Sequence, residues 1–236
     1  QIGSDIEGEA GGDRSGYSVS MSNDGSRVAI GAYLNDGNGD NSGHVRVYDW
    51  NGTEWHQIGS DIEGEADGDR SGYSVSMSSD GSRVAIGAYG NTGNNHSGHV
   101  RIYKYINNLW IKVGADIDGE DYGDQSGKSV SLSADGSIVA IGDIENDGKG
   151  KDIISNTVEG HLGSFLKTAG DSGHVRVYQN LNGTWTQLGS DIDGKLDGDQ
   201  LGYSVSLSAD GTMVAIGAPT KGFYGTDNIA DSGYVS

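Results

Sequence analysis

From Tyr73 to Met77 apolar and polar residues alternate without exception (Tyr-Ser-Val-Ser-Met), the period of a half-buried β-strand. Ser79-Asp80-Gly81-Ser82 follows, and Asp-Gly between two such runs predicts a tight hairpin. Arg83 to Ala88 reads as a second strand, whose Ala85, Gly87 and Ala88 let a neighbouring backbone come close. A polar loop, Tyr89 to Gly98, separates it from a third strand, His99 to Tyr103, and Leu109 to Val113 predicts a fourth. The turn into the fourth strand reads Asn51-Gly52 in an earlier stretch and Asn182-Gly183 in a later one. Four short antiparallel strands make one small sheet, which cannot bury both of its faces alone.

The unit repeats. Gln1 to Tyr33 returns almost letter for letter as Gln57 to Tyr89, and more worn copies begin at Lys112 and Gln187. Asp5, Asp61, Asp116 and Asp191 mark the copies, at spacings of 56, 55 and 75. Such a period, built from short strands, predicts an all-β fold: a β-propeller of four-stranded antiparallel blades. The chain reads as one repeat array over 1–236, with repeats at about 1–56, 57–111, 112–186 and an incomplete 187–236. It opens at the end of a fourth strand and stops at the start of a third. That phase predicts a fragment of a larger propeller, the alternative being a four-bladed ring closed by the first strand. Tyr17, Val19, Met21, Val28, Ile30, Val45, Val47 and Trp55 are expected between blades. Trp55, Trp110 and Trp185 hold one repeat position and are expected in the core, while Trp50 breaks the pattern and is expected to be more exposed. The third copy carries an insertion of roughly 20 residues within 143–171, a length that marks a functional or a disordered loop.

Gly16-Tyr-Ser-Val-Ser with Val28-Ala-Ile-Gly-Ala-Tyr33, and Gly202-Tyr-Ser-Val-Ser with Val214-Ala-Ile-Gly-Ala-Pro219, resemble the FG-GAP repeat over essentially the whole chain. The preceding Gly-Asp-Arg/Gln resembles its bacterial-type variant. The fourth copy has the full Gly217-Ala218-Pro219; the first two have Ala-Tyr, and the third Gly142-Asp143. The resemblance implies a propeller like the head of an integrin α-subunit, with adhesion or scaffolding outside the cell more often than catalysis. Integrin-like copies carry a calcium loop between the two signature segments. Here that interval is only the Asp-Gly hairpin, so the resemblance brings no calcium site to it.

Composition narrows the function classes. A net charge of −19 excludes a phosphate-binding footprint and so argues against nucleic acid; it fits a surface that attracts cations. No run approaches the ~20 apolar residues of a membrane span. The chain has no Cys, hence no disulfide and no thiolate ligand. Its 42 Gly fall at fixed places in each copy and read as turns.

Calcium takes six to eight oxygens, and loops with carboxylates at alternate positions can deliver them. Asp36, Asn38 and Asp40 have that spacing, as do Asp61, Glu63, Glu65, Asp67 and Asp69, so calcium is the one expected ligand ion. The competing reading makes the Gly-Asp acids (Asp13, Asp69, Asp124, Asp199) acceptors for backbone N–H groups in a turn. Of the six His, His44, His99 and His174 share the motif Ser-Gly-His-Val-Arg and are not expected to converge on one metal. Arg46, Arg101 and Arg176, two residues on, are expected to pair with the acidic loops. Asn51, Asn95 and Asn182 open glycosylation sequons, two of which double as Asn-Gly turns.

Catalytic signatures are missing: no nucleophile elbow, zinc-protease or phosphate-loop motif occurs. The expectation is a non-enzymatic module, extracellular or at the cell surface, serving structure or adhesion. Its variable loops (35–41, 90–97, 143–171 and 220–231) would meet a protein or glycan partner. Two alternatives are a lectin-like propeller, hinted at by Tyr33, Tyr89 and Tyr224, and a filament assembled through strands at the chain ends.

Overall fold

The computed structural model describes residues 1–90, 96–145, 172–196, 198–220 and 233–235, and every regular element among them is a β-strand. The first sheet holds β1 (Ser18–Met21), β2 (Arg27–Ala32), β3 (His44–Trp50), β4 (Trp55–Gln57) and β5 (Ile62–Glu63). The second repeats it with β6 (Ser74–Met77), β7 (Arg83–Ala88), β8 (His99–Ile106), β9 (Leu109–Lys112) and β10 (Ile117–Asp118). The third has β11 (Ser126–Leu132), β12 (Ile138–Asp143), β13 (His174–Leu181), β14 (Thr184–Gln187) and β15 (Ile192–Asp193). The fourth shows β16 (Ser204–Leu207), β17 (Val214–Ala218) and β18 (Tyr234–Val235). All pairings within the sheets are antiparallel, in the order first, second, third, fourth strand. These are the blades expected from the repeat, in an open array.

One detail departs from the sequence reading. Ile62-Glu63 is not loop but a two-residue strand that continues the fourth strand after a break, with Val45 opposite Ile62 and His44 opposite Glu63. The same short strand recurs as Ile117–Asp118 and Ile192–Asp193.

The second strand explains how blades stack. In Val28-Ala-Ile-Gly-Ala32 the large residues face the preceding side, and Ala29 and Gly31 face the next sheet. Ala29, Val45 and Val47 of the first sheet pack on Met77, Val84 and Ile86 of the second. Ala85, Val100 and Ile102 pack in the same way on Val130, Leu132, Val139 and Ile141 of the third. Each fully buried Val or Ile in these layers contributes roughly 1.5–3 kcal/mol.

Serines of the inner strand complete each interface. Ser18 Oγ donates to Gly72 O at 2.7 Å, and Met77 N donates to Ser20 Oγ at 2.9 Å. Ser74 and Ser76 repeat the pair toward Gly127 and Leu132, and Ser129 and Ser131 toward Gly202 and Leu207. The polar half of the Tyr-Ser-Val-Ser alternation therefore bonds blade to blade. At the opposite end, hairpin tips are chained: Asn23 N donates to Ser79 O, Ser79 N to Ala134 O, and Ala134 N to Ala209 O. Each hairpin is held by its own Asp. The Ser26 amide and the Ser22 and Ser26 hydroxyls lower Asp24 to about 2.

Two burial expectations need correction. Tyr17, Val19 and Met21 are exposed, Val19 by 63%, whereas their counterparts Met77, Val130 and Leu132 are buried. Among the described residues no sheet lies against the preceding face of the first sheet, where Ile6 and Trp55 pack on Val28, Ile30 and Tyr48. Trp50 is half-buried like Trp55 and stacks on it at 5.4 Å. The repeated Trp residues lie at the interfaces, with Trp110 Nε1 donating to Ile58 O and Trp185 Nε1 to Val113 O.

A Cβ built on Gly87 would overlap the Gly127 carbonyl oxygen of the next sheet, whereas one on Gly11 meets nothing within 4 Å. Gly87→Ala is therefore expected to cost about 1–3 kcal/mol in urea unfolding, and Gly11→Ala no more than about 0.5 kcal/mol. Equal effects would contradict the packing described.

Candidate functional site

Antiparallel order puts two kinds of connection at opposite ends of each sheet. The tight hairpins, 22–26 and 51–54 in the first copy, lie at one end. The β2–β3 connection and the acidic loop leading to the next inner strand lie at the other. Asn51 and Asn182 are exposed at the hairpin end, where Asn51 Oδ1 accepts from the Thr53 and Glu54 amides as a turn cap. Asn95 lies outside the described residues.

At the loop end the two candidate calcium segments fuse. Asp40 N donates to Asp67 Oδ1 at 3.1 Å, Gly68 N to Asp40 O, and Asn38 Nδ2 to Gly64 O. Gly37 lies against the Glu63 carboxylate. Asp36, Asn38, Asp40, Glu63 and Asp67 thus share one surface, although the sequence offered them as two separate loops. Asp36 Oδ1 caps the Asn41 amide, and Asp40 Oδ1 accepts from Asn41 Nδ2. Burial, then the charges of Asp61 and Glu9, raise Glu63 above the ordinary carboxyl range. The other acids turn elsewhere. Asp61 accepts from Gln57, and Glu65 lies 3.3 Å from Arg101. Asp69 is buried and accepts the amides of Glu65 and Ala66. Asp124 and Asp199 make the same turn bonds, and the next residue of each copy (Arg14, Arg70, Gln125, Gln200) takes positive φ.

Beside these loops the inner-strand starts carry a cluster of tyrosines that the sequence did not reveal as one group. Tyr17, Tyr33 and Tyr73 pack mutually, tilted or edge-on, with ring centres 4.6–5.3 Å apart, and Tyr89 meets Tyr73 edge-on at 4.4 Å. Tyr17 Oη donates to Tyr73 Oη at 2.9 Å. Lys128, in the place of a third-copy tyrosine, puts its Nζ 3.9 Å from the Tyr89 ring centre, and Arg70 donates to Tyr89 Oη. Burial followed by the Tyr17 hydrogen bond raises Tyr73, and burial lowers Lys128. Tyr17 and Tyr203 keep about half of their surface exposed. Tyr224 lies outside the described residues.

The copied Tyr-Ser-Val-Ser and Val-Ala-Ile-Gly-Ala strands, with their blade-to-blade bonds, now have a counterpart. Residues 7–48 match the FG-GAP repeat. No curated protein sequence matches the chain. Among solved structures the chain is similar to a candidate 6-phosphogluconolactonase from Bacteroides uniformis, with TM-score 0.55, 10% identity, and coverage of 93% of this chain and 52% of that one. It is also similar to Saccharomyces cerevisiae Sqt1 (TM-score 0.52, 12% identity, 88% and 43%) and to Kuenenia stuttgartiensis hydrazine synthase (0.50, 15%, 85% and 49%). At such identities the likeness shows the propeller fold alone, and the chain spans about half the length of these structures or less.

In the first three FG-GAP-like copies the Ser-Gly-His-Val-Arg segment faces the preceding acidic loop. Arg46 donates to Glu7 O, Arg101 to Glu63 O and Arg176 to Asp118 O, at 2.7–2.9 Å. Arg46 and Arg101 also lie 3.8 and 3.3 Å from Glu9 and Glu65, which is the pairing expected from the sequence. The third copy differs, because Asp143 stands where the others have Ala32 and Ala88. Wholly buried, it contacts His174 Nε2 at 2.6 Å and Arg176 at 2.8 Å.

The consequence is a divergence of three equivalent histidines. Burial lowers His44 and His99; in His174 the same burial is outweighed by the hydrogen bond and charge of Asp143, and its pKa is raised. Protonated His174 therefore adds stability that is complete below the ordinary imidazole value and is lost as pH rises through the higher folded one. Urea midpoints measured from about pH 6 to 9 are expected to fall more in the native chain than in His174→Gln, which removes the titrating group. Parallel profiles would contradict this linkage.

Proposed function

We propose that this chain is a non-enzymatic recognition module, an extracellular structural or adhesive propeller unit that engages a protein or surface ligand through its loop end. The observation that carries this reading is the contrast between the two kinds of segment. The bonds between sheets recur copy after copy, while the β2–β3 connections differ in length and chemistry: Asp36-Gly-Asn-Gly-Asp40 in the first copy, and a segment without carboxylates, Asn91 to His96, in the second. A rigid frame with varied loops at one end is how binding scaffolds are built. The test is to replace residues 34–41 by the second copy's 90–97 and measure adhesion to cells or coated surfaces. Loss of adhesion is expected, with a thermal midpoint that matches the native chain's when both are measured in a calcium chelator; adhesion indifferent to this loop would contradict the reading.

Calcium fits this role as a brace. Asp36, Asp40, Glu63 and Asp67 offer carboxylate oxygens on one surface, at the junction of the varied loop and the frame. Binding to the folded state alone raises the unfolding midpoint. A calcium-selective chelator is expected to lower the midpoint of the native chain by several degrees and to leave Asp36→Asn/Asp67→Asn unmoved. An unchanged native midpoint would remove calcium from the account.

A second reading, carbohydrate binding, is favoured by the tyrosine cluster. Half-exposed Tyr17 presents aromatic surface and its hydroxyl beside Tyr73, whose ring Lys128 covers at 4.6 Å, an amphipathic platform suited to a sugar ring. On a glycan array, Tyr17→Ala is expected to weaken any sugar bound by the native chain by about tenfold or more. Binding that survives Tyr17→Ala unchanged would discard this platform.

A further inference from the structure

In the first two sheets the acidic loop and the segment after the fourth strand bring one acid each toward the buried histidine, and the two copies differ there in one informative way. In the second copy Lys112 Nζ lies 2.9 Å from Asp116 Oδ1 and 3.8 Å from Glu65 Oε1, so an ammonium bridges the two acids. In the first copy the equivalent acids are Asp61 and Glu9, and the lysine's place is taken by neutral Gln57. His44 lies with them. Only 1% of it is exposed, and neither ring nitrogen has a hydrogen-bond partner.

The donor atoms of Glu9, His44 and Asp61 all lie within 4.8 Å of one another, with His44 Nδ1 3.8 Å from Glu9 Oε2. Two donors on one tetrahedral zinc are about 3.4 Å apart, given Zn–N and Zn–O distances of about 2.1 Å. The group must therefore close by up to about 1.4 Å, and Glu9 is exposed. Glu63 stands opposite His44 in the ladder and carries a buried carboxylate oxygen without a partner. Against these three acids stands the guanidinium of Arg46, 3.8 Å from Glu9. The local charge calls for a cation, as the second copy answers with Lys112. One imidazole nitrogen with carboxylates suits zinc or manganese better than calcium, which takes oxygen alone.

We propose that Glu9, His44 and Asp61 form a binding site for a divalent transition metal of the zinc class, which pins the first acidic loop to the first sheet. The site does not depend on the recognition role, and of the calcium surface it borders only Glu63, which is not among its three ligands. The test is calorimetric titration of the whole chain with zinc chloride, calcium being present throughout, followed by thermal unfolding. One equivalent of zinc and a raised midpoint are expected. Gln57→Lys, which installs the second copy's ammonium, and Glu9→Gln both change exposed positions and should leave the fold intact. Each is expected to weaken zinc binding by at least about tenfold. Absence of zinc uptake, or uptake that either variant leaves unchanged, would overturn the site.

Discussion

Everything in this fold depends on how closely two backbones approach at the inner edge of adjacent sheets. Gly31, Gly87 and Gly142 lie directly against Gly72, Gly127 and Gly202 of the next sheet, where no Cβ could be fitted. Closeness brings the first-strand serines within bonding reach of the neighbour, one hydroxyl giving to a carbonyl and another receiving an amide. A buried amide or carbonyl left without such a partner costs about 1–3 kcal/mol. The interface is therefore specified by polar bonds at its inner edge and stabilised by the Val and Ile layers behind it. Farther out, the Trp indoles and the Arg side chains of the third strands tie each sheet to the segment before it.

This arrangement separates constancy from variation. The contacts between sheets use the hairpin tips, the inner strands and the Ser-Gly-His-Val-Arg segments, all of which recur. The β2–β3 connections take no part in the serine ladder and can change without disturbing it. Substitutions at that end have large local effects. Replacing one alanine by Asp143 turns a histidine that resists protonation into one that favours it. Exchanging Gln57 for Lys112 decides whether an acid pair already holds a cation.

Much of the architecture was legible because its signals are local. Period-two alternation and Asp-Gly or Asn-Gly turns lie within a few residues, and the repeat supplies the stacking. What escaped depends on contacts between segments far apart in the sequence. The exposure of Val19 follows from what packs beside β1, which no strand pattern encodes. Ile62-Glu63 becomes a strand only by pairing with His44 and Val45. The tyrosine cluster draws on two repeats, 56 residues apart, and the Asp143–His174 pair needs the exact cross-strand register of β12 and β13. The acids were visible as calcium-like spacings, but not which of them would share a surface. Asp40 and Asp67 meet across the loop end, while Asp69 turns into its own backbone.

Native-state hydrogen exchange addresses the stacked-sheet account most directly. The amides of Met77, Leu132 and Leu207 donate across interfaces to serine hydroxyls. If the sheets are held as one body by those interfaces, the three amides exchange only with the same high free energy as the central amides of β7 and β12. Rapid exchange at these three positions, while the sheet interiors stay protected, would show that each sheet stands alone and would contradict the account.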